Sequence, residues 1–180
     1  MRAVLAIDTS TDACTVGLAT VQGAAEAHRL LPRAHNQHLL AMLDEVLAGA
    51  PLSSVTGFVC GLGPGSFTGL RIAASVIQGL AWSLELPVLG MYSLEAQVRA
   101  WLVDHPAYEG YILATTDAQI GQCYYRLWQY TDGELRALTE PLMAMPEQLS
   151  LPRVASSSGV VILGSGCRYR STIEGCWHSR

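Results

Sequence analysis

Three sets of residues in this chain are of types that could do chemistry. The first is the run Gly61-Leu62-Gly63-Pro64-Gly65-Ser66-Phe67-Thr68-Gly69-Leu70-Arg71, which packs four glycines and a proline into the stretch from Gly61 to Gly69. So many glycines ask for positive φ values or for close approach by another group. A glycine-rich turn that opens a helix also offers bare N–H groups to an anion. The second set is a pair of acidic turns, Asp8-Thr9-Ser10 and Asp117-Ala118, each closing an apolar run. Two such carboxylates could hold Mg²⁺ for phosphoryl transfer. The third is His35 and His38, one turn apart at the start of a helical stretch, a spacing open to a metal ion.

None of the three completes a known template. A phosphate-binding P-loop needs a lysine after its last glycine, and the chain contains no lysine at all. The dinucleotide fingerprint needs a third glycine where Gly61-Leu62-Gly63 is followed by Ser66. The zincin pattern needs a carboxylate between its histidines, where Asn36 and Gln37 stand here. Capping or partner contact is then the role left for His35, and no metal or cofactor is expected. No serine, cysteine or histidine set reads as a hydrolytic triad, and Asp8 alone is equally an ordinary turn former. The loop therefore reads as steric, turning the chain sharply and aiming the helix after it. Two active alternatives stay open: a small-molecule kinase binding Mg²⁺-ATP between Asp8 and Asp117, and a metallopeptidase built on His35 and His38.

The elements that must position these residues follow from periodicity. Three strands are expected at 3–8, 14–19 and 24–31, then an amphipathic helix with Leu39, Leu40, Leu43, Val46 and Leu47 at helical spacing, ended by Gly49 and Pro51. A strand at 55–60 enters the glycine loop. The helix from Phe67 to Leu84 that leaves it is apolar almost all round, which demands burial on more than one side. Its polar stripe is Arg71, Ser75 and Gln78, and its row Leu70, Ala74, Ile77, Ala81 is small enough for another helix to come close. A strand at 87–91, buried by its composition, and a helix from Ser93 to about 104, with Ser93 as N-cap, complete a first domain at 1–106. The second, 107–180, begins again with strands at 111–116 and 122–130, a hairpin turn at 131–134 and a third strand. A short helix near 146–149 and a strand at 160–163 follow, then Gly164-Ser165-Gly166. From 171 to 180 no periodicity is visible. The order β-β-β-α-β-α-β-α, then β-β-β-α-β, is an α/β duplication with a shortened second half. Its opening strand, acidic turn and returning strand are typical of a ribonuclease-H-like nucleus.

Composition narrows the function classes. Half the residues are apolar and 14% are charged, which fits a globular protein with part of its surface meant for a partner. A net charge of −4 argues against a free-standing nucleic-acid binder. The five cysteines Cys14, Cys60, Cys123, Cys167 and Cys176 lack C-x-x-C spacing and read as reduced, buried thiols of a cytoplasmic protein. The first residues enter a strand pattern directly, leaving no room for a signal peptide, and no apolar run is long enough to span a membrane.

The motifs Ala6-Ile7-Asp8-Thr9-Ser10-Thr11-Asp12-Ala13-Cys14, His35-Asn36-Gln37-His38-Leu39-Leu40, Gly63-Pro64-Gly65-Ser66-Phe67-Thr68-Gly69-Leu70-Arg71-Ile72, Ser93-Leu94-Glu95-Ala96 and Asp117-Ala118 together resemble the bacterial TsaB (YeaZ) family, in order and spacing, from Met1 to about Gly166. The resemblance implies a non-catalytic member of the actin-like, Hsp70-like ATPase fold, with Asp8, Thr9, Ser10 and Asp117 as the remains of a nucleotide cleft. It implies a role in making threonylcarbamoyladenosine beside the anticodon of tRNAs that read codons starting with A. The implied partners are TsaD, which carries out the transfer, and TsaE, an ATPase joining the pair, with tRNA met only through the complex. It also implies a homodimer when alone, through the same helices; His35, Leu39, Leu70, Ala74, Ile77 and Ala81 would form that interface. One departure is plain: the family's arginine and glutamate after the second aspartate are replaced here by Gln119 and Gln122, which weakens the expected charge network.

Overall fold

The computed structural model describes residues 3–149 and 159–178, with side chains up to residue 174. Chain contacts divide it into two units, Met1–Ser93 and Leu94–Arg180. The divide falls after the first residue of the helix expected at the end of the first domain, because the rest of that helix buries its apolar residues in the second core.

In the first unit, β1 (Ala3–Asp8), β2 (Ala13–Thr20) and β3 (Gly23–Leu30) form an antiparallel meander. Parallel β4 (Val55–Gly61) and β5 (Val88–Met91) extend it to the order β3-β2-β1-β4-β5. Alternation sends Cys14, Val16 and Leu18 of β2 into the core. Helix α1 (His35–Leu47) lies against β2 and β3, burying Leu39, Met42, Leu43, Val46 and Leu47, the 3-4 spacing of one helical face. It stops where Ala48 takes a left-handed conformation and donates its N–H back to Asp44 and Glu45 carbonyls. Helix α2 (Phe67–Leu84) lies against β4 and β1 and buries Gly69, Ala73, Ile77 and Ala81. With Leu5, Ile7, Phe58 and Cys60 these helices close one core.

One expectation is corrected here. β5 is apolar yet not buried: Val88 is 48% exposed and Leu89 63%. As the last strand of its sheet it has a neighbour on one side only, so apolar composition alone could not reveal its exposure.

In the second unit, β6 (Gly110–Asp117), β7 (Cys123–Thr131), β8 (Glu134–Ala137), β9 (Leu142–Ala144) and β10 (Val160–Leu163) make a sheet ordered β10-β6-β7-β8, with β9 paired to β7. Helix α3 (Ser93–Asp104) sets Leu94, Val98 and Leu102 among Ile112, Ala114 and Trp128. The opposite face gathers Leu113, Cys123, Tyr125, Leu127, Leu149 and Ile162 around Ile173. Ile173 belongs to a helix, α4 (Arg170–His178), where no periodicity was visible. That helix shows one fully buried side chain among its described residues and carries Gly175, too little for a pattern to emerge. No helix among the described residues is long and apolar enough to cross a membrane.

Candidate functional site

The glycine loop is packed against the turn that follows β1. The Ser66 N–H donates to the Ser10 carbonyl at 2.6 Å, and the Thr9 hydroxyl donates to the Gly69 carbonyl at 2.7 Å. A Cβ on Gly65 would overlap the Ser10 carbonyl, one on Gly69 the Thr9 carbonyl, and one on Gly61 the Asp8 carboxylate. The loop therefore needs these glycines because its own chain approaches so closely. Only Gly63, at φ 75°, also needs the left-handed region. The peptide between Gly63 and Pro64 is cis. Ser66 caps α2, its Oγ accepting the Gly69 N–H at 3.2 Å.

Asp8 stands behind this contact. Its Oδ1 accepts the Ser10 N–H at 2.7 Å, and its Oδ2 accepts the hydroxyl of Ser93 at 2.5 Å. Ser93 also accepts the Ser10 hydroxyl at 3.0 Å and the Gly63 N–H at 3.1 Å, while its own N–H donates to the Gly63 carbonyl at 2.8 Å. Thr9, Ser10 and Ser93 are all buried. Expected as an N-cap, Ser93 turns its hydroxyl away from its own helix to bridge β1 and the loop. No spacing rule links residues 85 positions apart, so only the structure reveals this partner of Asp8. Chemically, the side of the loop that meets β1 is lined with acceptors. Carbonyl oxygens of Thr9 and Ser10 face the glycines, and both oxygens of Asp8 already serve as acceptors.

The second acidic turn is assembled differently. The Asp117 Oδ1 accepts the Gln119 N–H at 2.9 Å, and Oδ2 pairs with Arg168 at 2.8 Å. The Tyr169 hydroxyl lies 3.4 Å from Oδ1, and the Asp117 N–H donates to Ser165 Oγ. The cation that pairs with Asp117 thus comes from the segment after Gly166. Burial pushes the Cys123 thiol up to about 11, with Asp117 and then Glu147 adding to it. Cys60 and Cys14 are also raised, mainly by burial and further by Asp8, with Arg29 pulling the other way on Cys14.

The expected interface row is only partly at the surface. Ile77 is 2% exposed and Leu39 1%, and His35 and Ala81 are buried too. Leu39, Ile77 and Ala81 belong to the first core of this chain, while Leu70 is half-buried and Ala74 exposed. The outward face of α2 runs one row further round, through Phe67, Arg71, Ala74, Ser75, Gln78 and Trp82. Arg71 lies over the Phe67 ring at 3.8 Å. Beside this face a groove of about 410 Å³ runs between α1 and α2, lined by Leu39, Leu40, Thr68, Arg71 and Ile72 among others. His35 is buried and His38 exposed, so the pair does not form one metal-facing surface.

A two-unit α/β fold, in which parallel β1–β4 and β6–β10 pairs each lead into a glycine turn and a helix, places the molecule in the actin-like class. The model of the family described as TsaD, tRNA N6-adenosine threonylcarbamoyltransferase, matches residues 28–159. The Escherichia coli protein named tRNA threonylcarbamoyladenosine biosynthesis protein TsaB is 34% identical over 91% of this chain and 71% of its own. The Haemophilus influenzae protein of that name is 39% identical over 68% of this chain, which spans 52% of that relative. The solved structure of YeaZ from Pseudomonas aeruginosa superposes with a TM-score of 0.86 at 34% identity, over 96% of this chain and 80% of that one. The chain belongs to the TsaB family.

Proposed function

We propose that this protein is a non-catalytic, cytoplasmic subunit that docks on a TsaD-type threonylcarbamoyltransferase and supports formation of threonylcarbamoyladenosine in tRNA. The observation that carries this reading is the closed glycine loop. Its backbone is bonded to Thr9 and Ser10, Asp8 is bonded to Ser10 and Ser93, and what the loop delivers is the start of α2. The outward face of α2 offers the apolar Phe67, Ala74 and Trp82 beside Arg71 and Gln78, a mixed surface of the kind that helix pairs bury. TsaD is the proposed occupant, with TsaE joining the pair and tRNA met through the assembly; a homodimer across the same face is the form expected in its absence.

The test is threonylcarbamoyl transfer to tRNA by TsaD, with and without this chain. A clear rise in transfer when it is added supports the reading, and equal transfer in both reactions rejects it. Calorimetry with Mg²⁺-ATP separates the kinase alternative, which demands saturable heat from this chain alone.

A further inference from the structure

The hydroxyl of Ser93 has its full bonding capacity in use. A serine hydroxyl can donate once and accept twice; here it donates to Asp8 and accepts from Ser10 and Gly63. That assignment fixes a direction. Because Ser93 gives its proton to the carboxylate, Ser10 must give its own to Ser93, and the charge of Asp8 polarises the whole chain of donors. Each group so ordered carries part of the glycine loop. Ser10 presents the carbonyl on which the Ser66 N–H hangs, and Ser66 caps α2. Gly63 is gripped from both sides by the N–H and Oγ of Ser93. Ser93 is 4% exposed and Ser10 1%, so water does not compete for these bonds.

We infer that Ser93 is a positioning residue for α2: through Asp8 and Ser10 its hydroxyl sets the conformation of the loop and hence the angle at which the docking face leaves it. The part concerning docking rests on the function proposed above; the part concerning the loop does not. The competing account is that glycine packing alone holds the loop, with the hydroxyl adding only general stability.

The experiment compares Ser93→Ala and Ser93→Thr in the full chain. Amide hydrogen exchange is read at Ser66 and Gly69, whose N–H groups do not touch Ser93. In Ser93→Ala their exchange is expected to speed about tenfold or more, the scale of one charge-assisted hydrogen bond, with strands β1, β2 and β4 unaffected. Ser93→Thr, which keeps the hydroxyl, is expected to restore slow exchange. TsaD affinity, measured where both variants are folded, is expected to fall and recover in parallel. Unchanged exchange at Ser66 in Ser93→Ala overturns the inference. Faster exchange with undiminished TsaD affinity overturns it as well, because the hydroxyl then serves stability alone. If the unaltered chain fails to bind TsaD, the docking reading falls instead, and the exchange measurement still decides the role in the loop. Should Ser93→Ala not fold, Ser10→Ala removes only one donor of the chain, and a smaller acceleration in the same direction is required.

Discussion

In each unit the first strand ends in an aspartate whose Oδ1 accepts the N–H two residues on, at 2.7 Å for Asp8 and 2.9 Å for Asp117. In each, a parallel neighbour strand then turns through glycines that press against the end of that first strand. Gly65 and Gly69 meet the Ser10 and Thr9 carbonyls, while Gly164 meets the Thr115 carbonyl and Gly166 the Thr115 side chain. A threonine hydroxyl also crosses each junction, from Thr9 to Gly69 and from Thr115 to Leu163. The difference lies in what holds the second carboxylate oxygen. Asp8 is held by a buried, neutral hydroxyl, and Asp117 by a guanidinium that is 65% exposed. The first arrangement is short, directional and shielded from salt. The second is an ion pair at the surface, where solvent and counterions weaken the attraction. One backbone design has thus been finished in two ways, as a fixed internal joint in the first unit and as a surface clasp in the second.

The largest expected effect tests the joint. Gly69→Ala drives a methyl into the Thr9 carbonyl, a backbone atom that cannot swing aside, and should cost about 3 kcal/mol or more. Gly121→Ala, in open space at φ 75°, should cost only about 1 kcal/mol, from backbone strain. Comparable denaturation midpoints for the two variants would dissolve the claim that the loop is closed by contact. Ile77→Ala is expected to lose about 2–4 kcal/mol, whereas Ala74→Arg leaves stability within about 0.5 kcal/mol and weakens TsaD binding. Urea melts and a pull-down with TsaD separate core from surface on the same helix.

The carboxylates come next. Asp8→Ala strands the Ser93 and Ser10 donors in a dry site and should cost about 1–3 kcal/mol, with little dependence on salt. Removing the cation with Arg168→Ala should cost under about 1 kcal/mol, and less still at high ionic strength. Equal losses would mean that the clasp is as much a joint as the other.

Both turns also lie beside buried thiols. Cys123 is raised from 9.0 to about 11, so the folded state keeps a proton that the unfolded chain loses. Its contribution is complete below pH 9 and is lost as pH rises towards 11. Thermal melts should therefore fall across that window, and Cys123→Ala should flatten the decline. A decline equally steep in Cys123→Ala would assign it to other groups.

Much of this was legible in residue order. The strand ends at Asp8 and Asp117, both long helices before Ser93 and the strand Val160–Leu163 follow from periodicity and breakers. The glycine run announced a steric demand without saying what would meet it, because the answer lies in the Thr9 and Ser10 carbonyls, some 55 to 60 residues away. Which row of α2 is exposed in this chain was not legible for a related reason. On a helix apolar nearly all round, hydropathy does not distinguish Ile77, which faces Phe58 and its neighbours in the core, from Trp82, which is 85% exposed. Helix α4 was missed although Gly164-Ser165-Gly166 after an apolar strand repeats the context of Gly63-Pro64-Gly65. Position within the duplication, rather than hydrophobic spacing, was the usable signal.

The span of the Asp8–Ser93 bond also bears on the order in which the first unit assembles. Its two ends are 85 residues apart, and the Thr9–Gly69 bond closes 60. The Thr9–Gly69 bond cannot form until β1 and β4 have been brought together, and the Asp8–Ser93 bond waits also for the chain leading to α3. The entropy of closing such loops is therefore lost before those bonds return anything. The meander β1–β2–β3, with its short turns, is free to form early. A nascent chain released before Ser93 emerges therefore lacks the bonds that grip Asp8, Ser10 and Gly63, and its α2 rests on the Thr9 and Ser10 contacts alone.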